Sequence, residues 1–180
     1  GCVAVWRLSR TRRPPKRLSV GWKVDPSLPA AKPKSESGWT MKIEVLTLFP
    51  EMFAGPLDAS IVGRARKAGL LDLRIHNLRD WTHDRHKTVD DRPFGGGAGM
   101  VMKPGPLFEA VESLATDGTW TILLTPAGRI FNQATARELA ARDHLVLICG
   151  SYEGVDERVR EALVDEELSI GDYVLTNGAL

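Results

Sequence analysis

From Met41 onward, short strand-like runs alternate with amphipathic segments, and that alternation restricts the fold more than any other feature of the chain. "KIEVLTLF" (42–49) and "LLDLRIHNL" (70–78) alternate as half-covered strands do, whereas "TWTILLTP" (119–126) and "HLVLICG" (144–150) are nearly continuous apolar runs. Runs of that second kind suit strands covered on both faces. Between them, residues 50–69 read as mainly helix ended by Gly69, with Gly55-Pro56 breaking or delaying it. Residues 105–118 read as a helix with Leu107, Ala110, Val111 and Leu114 on one face, 132–143 as a helix capped by Asn132, and 155–165 as another. Strand, helix, strand, helix in short order predicts an α/β domain on a parallel sheet, with ligands at the carboxyl ends of the strands. That points to three segments: "TPAG" (125–128), "CGSYEGVDE" (149–157) and "SIGDYVLTNG" (169–178).

Charge divides the chain at the same place. Residues 1–40 carry nine Lys or Arg, two acids and five prolines, while 41–180 carry fifteen basic and twenty-one acidic residues. The basic stretch cannot bury enough apolar surface to offset its ordering entropy, so it is expected to be mostly disordered. An RNA-binding arm or a transit peptide has the same composition, but patterned sequence begins only at Met41, which favours a plain leader or extension. No apolar run reaches the length of a membrane helix. Cys2 and Cys149 lie too far apart in sequence to suggest a disulfide framework, which fits a reducing, cytoplasmic setting.

The segment Thr82–Met100, "THDRHKTVDDRPFGGGAGM", concentrates two histidines, three aspartates, two arginines and four glycines without periodicity. Its H-x-x-H lacks the helical spacing of a zinc site, and Arg85, Lys87 and Arg92 are at hand to pair with its carboxylates, so no dedicated metal site is expected. "GGGAG" has neither the Lys-Ser/Thr of a P-loop nor the G-x-G-x-x-G spacing. Phe94 as a stacking ring and Arg92 as a planar cation instead suit an anionic, aromatic-rich partner such as RNA. Ser151 and Ser169 lie outside any nucleophile elbow. Asp156 and Glu157 read as charges at a helix start, leaving Glu153, between Gly150 and Gly154, as the better functional carboxylate.

Taken together, "LTLFPEMF", "THDRHKTVDDRPFGGGAGMVM", "ICGSYEGVDERV" and "SIGDYVLTNG" resemble the bacterial tRNA (guanine-N1)-methyltransferases, the TrmD family, over 41–180. The resemblance implies a SPOUT-type α/β fold, with helices on both faces of a parallel sheet and a C-terminal trefoil knot. It further implies a homodimer that uses S-adenosylmethionine to methylate the guanine next to the anticodon of tRNA. Carried over by motif, the donor pocket would involve Leu124, Thr125, Pro126, Gly150, Glu153, Ile170, Gly171, Asp172, Tyr173, Val174 and Leu175. Arg92, Phe94, Gly95, Gly96 and Gly97 would serve tRNA, while the histidines and aspartates of that segment brace it. A non-catalytic RNA-binding protein and a SPOUT methyltransferase acting at another RNA position are the other two readings.

The sequence departs from the family pattern at Ser151, where Arg is usual, at Asn177 in place of Gly, and at Ala179 in place of Glu. The family also continues into a linker and a helical domain that grips tRNA, the linker carrying the general-base Asp and an Arg beside it. The 180 residues are therefore expected to bind donor without turning over.

Overall fold

The computed structural model describes residues 40–178. The basic stretch other than Thr40, and Ala179, lie outside the described residues. Seven strands and four helices follow in the order β1 (Met41–Thr47), α1 (Ser60–Lys67), β2 (Leu71–Asn77), β3 (Asp90–Asp91), β4 (Val101–Met102), α2 (Pro104–Leu114), β5 (Trp120–Ile130), α3 (Gln133–Ala140), β6 (His144–Cys149), α4 (Glu157–Leu163) and β7 (Glu166–Ser169). Five strands form one parallel sheet in the order β2-β1-β6-β5-β7. The expected α/β architecture is present.

Strand alternation places apolar side chains on both faces of this sheet. Leu46, Leu123, Val146 and Ile148 join Leu107, Ala110 and Val111 of α2 and Val159 of α4 in one core. Ile122, Leu145 and Leu168 meet Leu139 of α3 in the other. Asn132 caps α3 as expected, accepting from the amides of Ala134 and Thr135 at 2.9 and 3.1 Å. Asp156 caps α4 and pairs with Arg158, whose guanidinium holds the carboxyl below its usual range, so its role is local.

Three features differ from the sequence reading. The segment 50–69, read as mainly helix broken or delayed by Gly55-Pro56, is helical over less of its length than expected: a 3-10 turn at Pro50–Phe53, then α1 only from Ser60, with Gly55 at φ +92° between them. β5 does not stop at Pro126. Leu168 pairs first with Leu124 and then with Arg129, so Thr125–Gly128 loop out while the strand resumes beyond them. "EELS" (166–169), to which the sequence reading assigned no element, is a strand, and Phe131 N donates to Ser169 O at 2.7 Å to close the resumed ladder.

Where the looped-out residues cross β7 the two backbones nearly touch. A Cβ on Gly128 would lie 2.5 Å from Leu168 N and 2.6 Å from Glu167 C. Arg129 then fastens the crossing, donating from Nε to Glu166 of β7 at 3.0 Å and from Nη2 to Glu138 of α3 at 3.1 Å. After β7 the chain turns back across the sheet's carboxyl edge. Gly178 N donates to Gly150 O at 2.7 Å, and Asn177 bridges Ser151.

Candidate functional site

The three segments selected from the sequence converge beside the looped-out part of β5 and the carboxyl ends of β6 and β7, around a cavity of about 570 Å³. The looped-out piece of β5 contributes Thr125, Pro126 and Ala127, and the turn after β6 contributes Gly150 to Val155. The returning chain contributes Ile170 and Tyr173 to Gly178. The walls are apolar or neutral, and Glu153 is the one charged side chain among the described residues lining the cavity. A volume in this range accommodates a nucleoside-sized ligand.

Of the residues expected at a donor pocket, Leu124, Thr125, Pro126, Gly150, Glu153, Ile170, Tyr173, Val174 and Leu175 line this cavity. Gly171 and Asp172 do not. They form a tight turn in which Gly171 O accepts from Ser169 Oγ at 2.7 Å and from Tyr173 N at 2.9 Å. Several lining residues were not singled out by sequence, notably Val45, Phe53, Leu147 and Tyr152. Val45 and Phe53 arrive from the first strand and the 3-10 turn, a tertiary placement that no local signal carries. Tyr152 was foreshadowed only by its place in "CGSYEG"; its φ of +60° is rare for a bulky residue and marks a strained turn at the cavity.

Two of the departures from the family pattern, Ser151 and Asn177, also lie here. Ser151 is buried, and its backbone pairs with that of Asn177, so the small side chain sits inside the turn. Asn177 Nδ2 contacts Met52 Sδ at 3.8 Å, linking the returning chain to the 3-10 turn. Cys149 also lines the cavity, and burial pushes its thiol up to about 12, which makes it a poor nucleophile.

Arg92, Phe94 and Gly95–Gly97 stand apart from the cavity. They belong to a tongue, residues 92–100, rooted by the antiparallel pairing of β3 with β4. Phe94 is fully exposed at 105%, Arg92 is exposed, and the three glycines have positive φ with open space around them. The tongue's root is nevertheless joined to the cavity. Glu153 N donates to Met100 O at 3.0 Å, Met102 N to Gly154 O at 2.9 Å, and Asp156 N to Met102 O at 3.1 Å. Val89 and Met102, both buried, anchor the same root in the core.

Polar residues just before the tongue are engaged locally. Asp84 accepts from the backbone amides of His86 and Thr88 and from Thr88 Oγ1, and its carboxyl is held below the usual range by the Thr88 bonds. His83 meets Glu109 of α2 at 2.8 Å, and Arg79 donates to Lys87 O at 3.2 Å. This is the bracing expected of the segment.

A family model described as tRNA (guanine-1)-methyltransferase TrmD matches residues 41–180. The curated tRNA (guanine-N(1)-)-methyltransferase of Carboxydothermus hydrogenoformans is 56% identical over 140 residues, covering 78% of this chain and 55% of that protein. The protein of that name from Chloroflexus aggregans is 58% identical over 143 residues, covering 78% and 56%. The one from Dehalococcoides mccartyi strain 195 is 60% identical over 143 residues, covering 78% and 58%. The chain spans a little over half the length of these relatives.

Proposed function

This chain belongs to the tRNA (guanine-1)-methyltransferase family, and from that premise we propose that its cavity takes S-adenosylmethionine for methyl transfer to N1 of the tRNA guanine beside the anticodon. The cavity's single charge carries the reading. Leu124, Ile170, Val174 and Leu175 offer apolar cover for the faces of an adenine. In this reading, backbone groups at Thr125, Pro126, Gly150, Ile170 and 173–175, all lining the cavity, meet its edge. Glu153 supplies a counter-charge for the donor's α-ammonium group. Gly171 and Asp172 act indirectly, by shaping the turn that presents Ile170 and Tyr173. When bound, S-adenosylmethionine supplies an electrophilic methyl group; the residues named here bind it, orient it and exclude water.

Guanine N1 bears a proton that must leave for the nitrogen to attack, so the reaction needs a positioned base. Glu153 is the one carboxylate lining the cavity among the described residues and is taken by the donor in this reading. We therefore assign the base to a part of the protein outside these residues, brought over the cavity by the partner chain of a homodimer. Arg92 and Phe94 are assigned to tRNA, on the ground that a fully exposed ring beside a guanidinium on a glycine-rich tongue suits base stacking and phosphate contact. The SPOUT knot is proposed for the path of the chain beyond β5. The looped-out crossing over β7 and the return of 170–178 to Gly150 and Ser151 support it. Among the described residues no helix is long and apolar enough to cross a membrane.

The test is methyl transfer from labelled S-adenosylmethionine to tRNA transcripts with guanine or adenine beside the anticodon. These 180 residues are expected to bind the donor and to give no multiple-turnover methylation of either transcript. Multiple turnover on the guanine transcript would overturn the assignment of the base.

A further inference from the structure

A glycine of the tongue meets the cavity's charged side chain. At Gly99 the space a Cβ would need is filled by the Glu153 side chain: Cγ lies inside it, Oε1 at 2.7 Å and Cδ at 2.9 Å. The other tongue glycines, Gly95, Gly96 and Gly97, have nothing within 4 Å of the same position. Flexibility alone therefore does not account for glycine at 99. The backbone beside it is fixed, because Met100 O accepts the Glu153 amide at 3.0 Å and Met102 is paired to Gly154 and Asp156. The tongue's base thus lies flat along the stem of the cavity's one charged side chain.

The geometry points to Gly99 as a positioning residue: the missing side chain lets the tongue buttress Glu153, aiming its carboxylate at the α-ammonium of the donor and linking the tongue to donor binding. This rests on the donor reading given above. A side chain at 99 would push the Glu153 stem aside, since the other surface of the contact is main chain. The loss would fall on the charged end of the ligand and spare the nucleoside end, which is held by the apolar walls. By linkage, a ligand that fixes Glu153 also fixes the tongue that carries Arg92 and Phe94.

Gly99→Ala separates this role from general damage when binding of two ligands is compared by calorimetry. S-adenosylmethionine carries the α-amino acid end and the sulfonium charge, and 5′-methylthioadenosine lacks both. Gly118→Ala is the control for backbone strain, since Gly118 has φ +85° against +88° at Gly99 and open space at its Cβ position. Gly99→Ala is expected to weaken S-adenosylmethionine about tenfold while changing 5′-methylthioadenosine less than threefold, and Gly118→Ala to change neither. In a Glu153→Ala background, which removes the obstructing atoms, Gly99→Ala should have no further effect on either ligand. Equal weakening of both ligands by Gly99→Ala, or no weakening, overturns the inference. A folded wild-type chain that binds neither ligand defeats the donor reading itself, an outcome distinct from unequal or absent effects of the variant.

Discussion

Replacing Gly128 with alanine tests the crossing of the chain over β7. The added Cβ would lie 2.5 Å from Leu168 N, 2.6 Å from Glu167 C and 2.7 Å from Glu167 O. Optimal carbon contacts are about 3.5–4.0 Å, so the overlap is roughly 1 Å, against main-chain atoms that cannot rotate away. Relief requires β7 to move off the resumed part of β5, where Arg129 pairs with Leu168 and Ile130 with Ser169. Overpacking costs about 1–3 kcal/mol, and a lost hydrogen bond about 1 kcal/mol more. A total of about 3 kcal/mol corresponds to a fall in Tm of about 6–12 °C for a domain of this size. Thermal unfolding followed by circular dichroism measures it, with Gly118→Ala as the open-space control. At Gly118 the left-handed backbone alone is expected to cost about 1 kcal/mol. A Tm for Gly128→Ala no lower than that of Gly118→Ala would refute the close crossing.

Other perturbations have equally definite outcomes. Asn132→Ala removes the acceptor for two α3 amides and should cost about 1 kcal/mol in urea unfolding, whereas an unchanged midpoint would contradict the cap. Burial pushes the His144 imidazole below its usual value, with Lys42's charge adding to the effect. At Glu44 burial raises the carboxyl, but hydrogen bonds and charge from Lys42 and His76 outweigh it and hold it low. Both groups are depressed in the folded state, so their stabilisation is complete at neutral pH. It should be lost as pH falls, first below about 6.5 for His144 and then below about 4.3 for Glu44. Stability by urea unfolding that rose between pH 7 and pH 5 would contradict this sign. Phe94→Ala should weaken tRNA binding by about 1–3 kcal/mol in a filter or anisotropy assay and leave S-adenosylmethionine binding unchanged; equal tRNA affinity would remove the ring from the interface.

The sequence discloses those parts of the molecule whose physics is local. The β runs, the Asn132 cap and the apolar stripe of α2 each follow from a few adjacent residues. The resumed half of β5 does not, because its pairing depends on four looped-out residues and on a four-residue partner, "EELS", whose acids disguise it. The cavity was legible wherever it is built from the loops after strands. It was illegible at Val45 and Phe53, which only the packed sheet brings there. The tongue's composition stood out in sequence, but its seat against Glu153 depends on where the chain folds back, and spacing does not give that.

Donor binding is the point on which the functional reading stands, and isothermal titration of the purified chain with S-adenosylmethionine measures it directly. One saturable site is predicted, weakened at least about fivefold by Glu153→Gln, which removes the charge and keeps the shape. A folded chain that takes up no S-adenosylmethionine, or binds it equally well without the Glu153 charge, would contradict the assignment of this cavity.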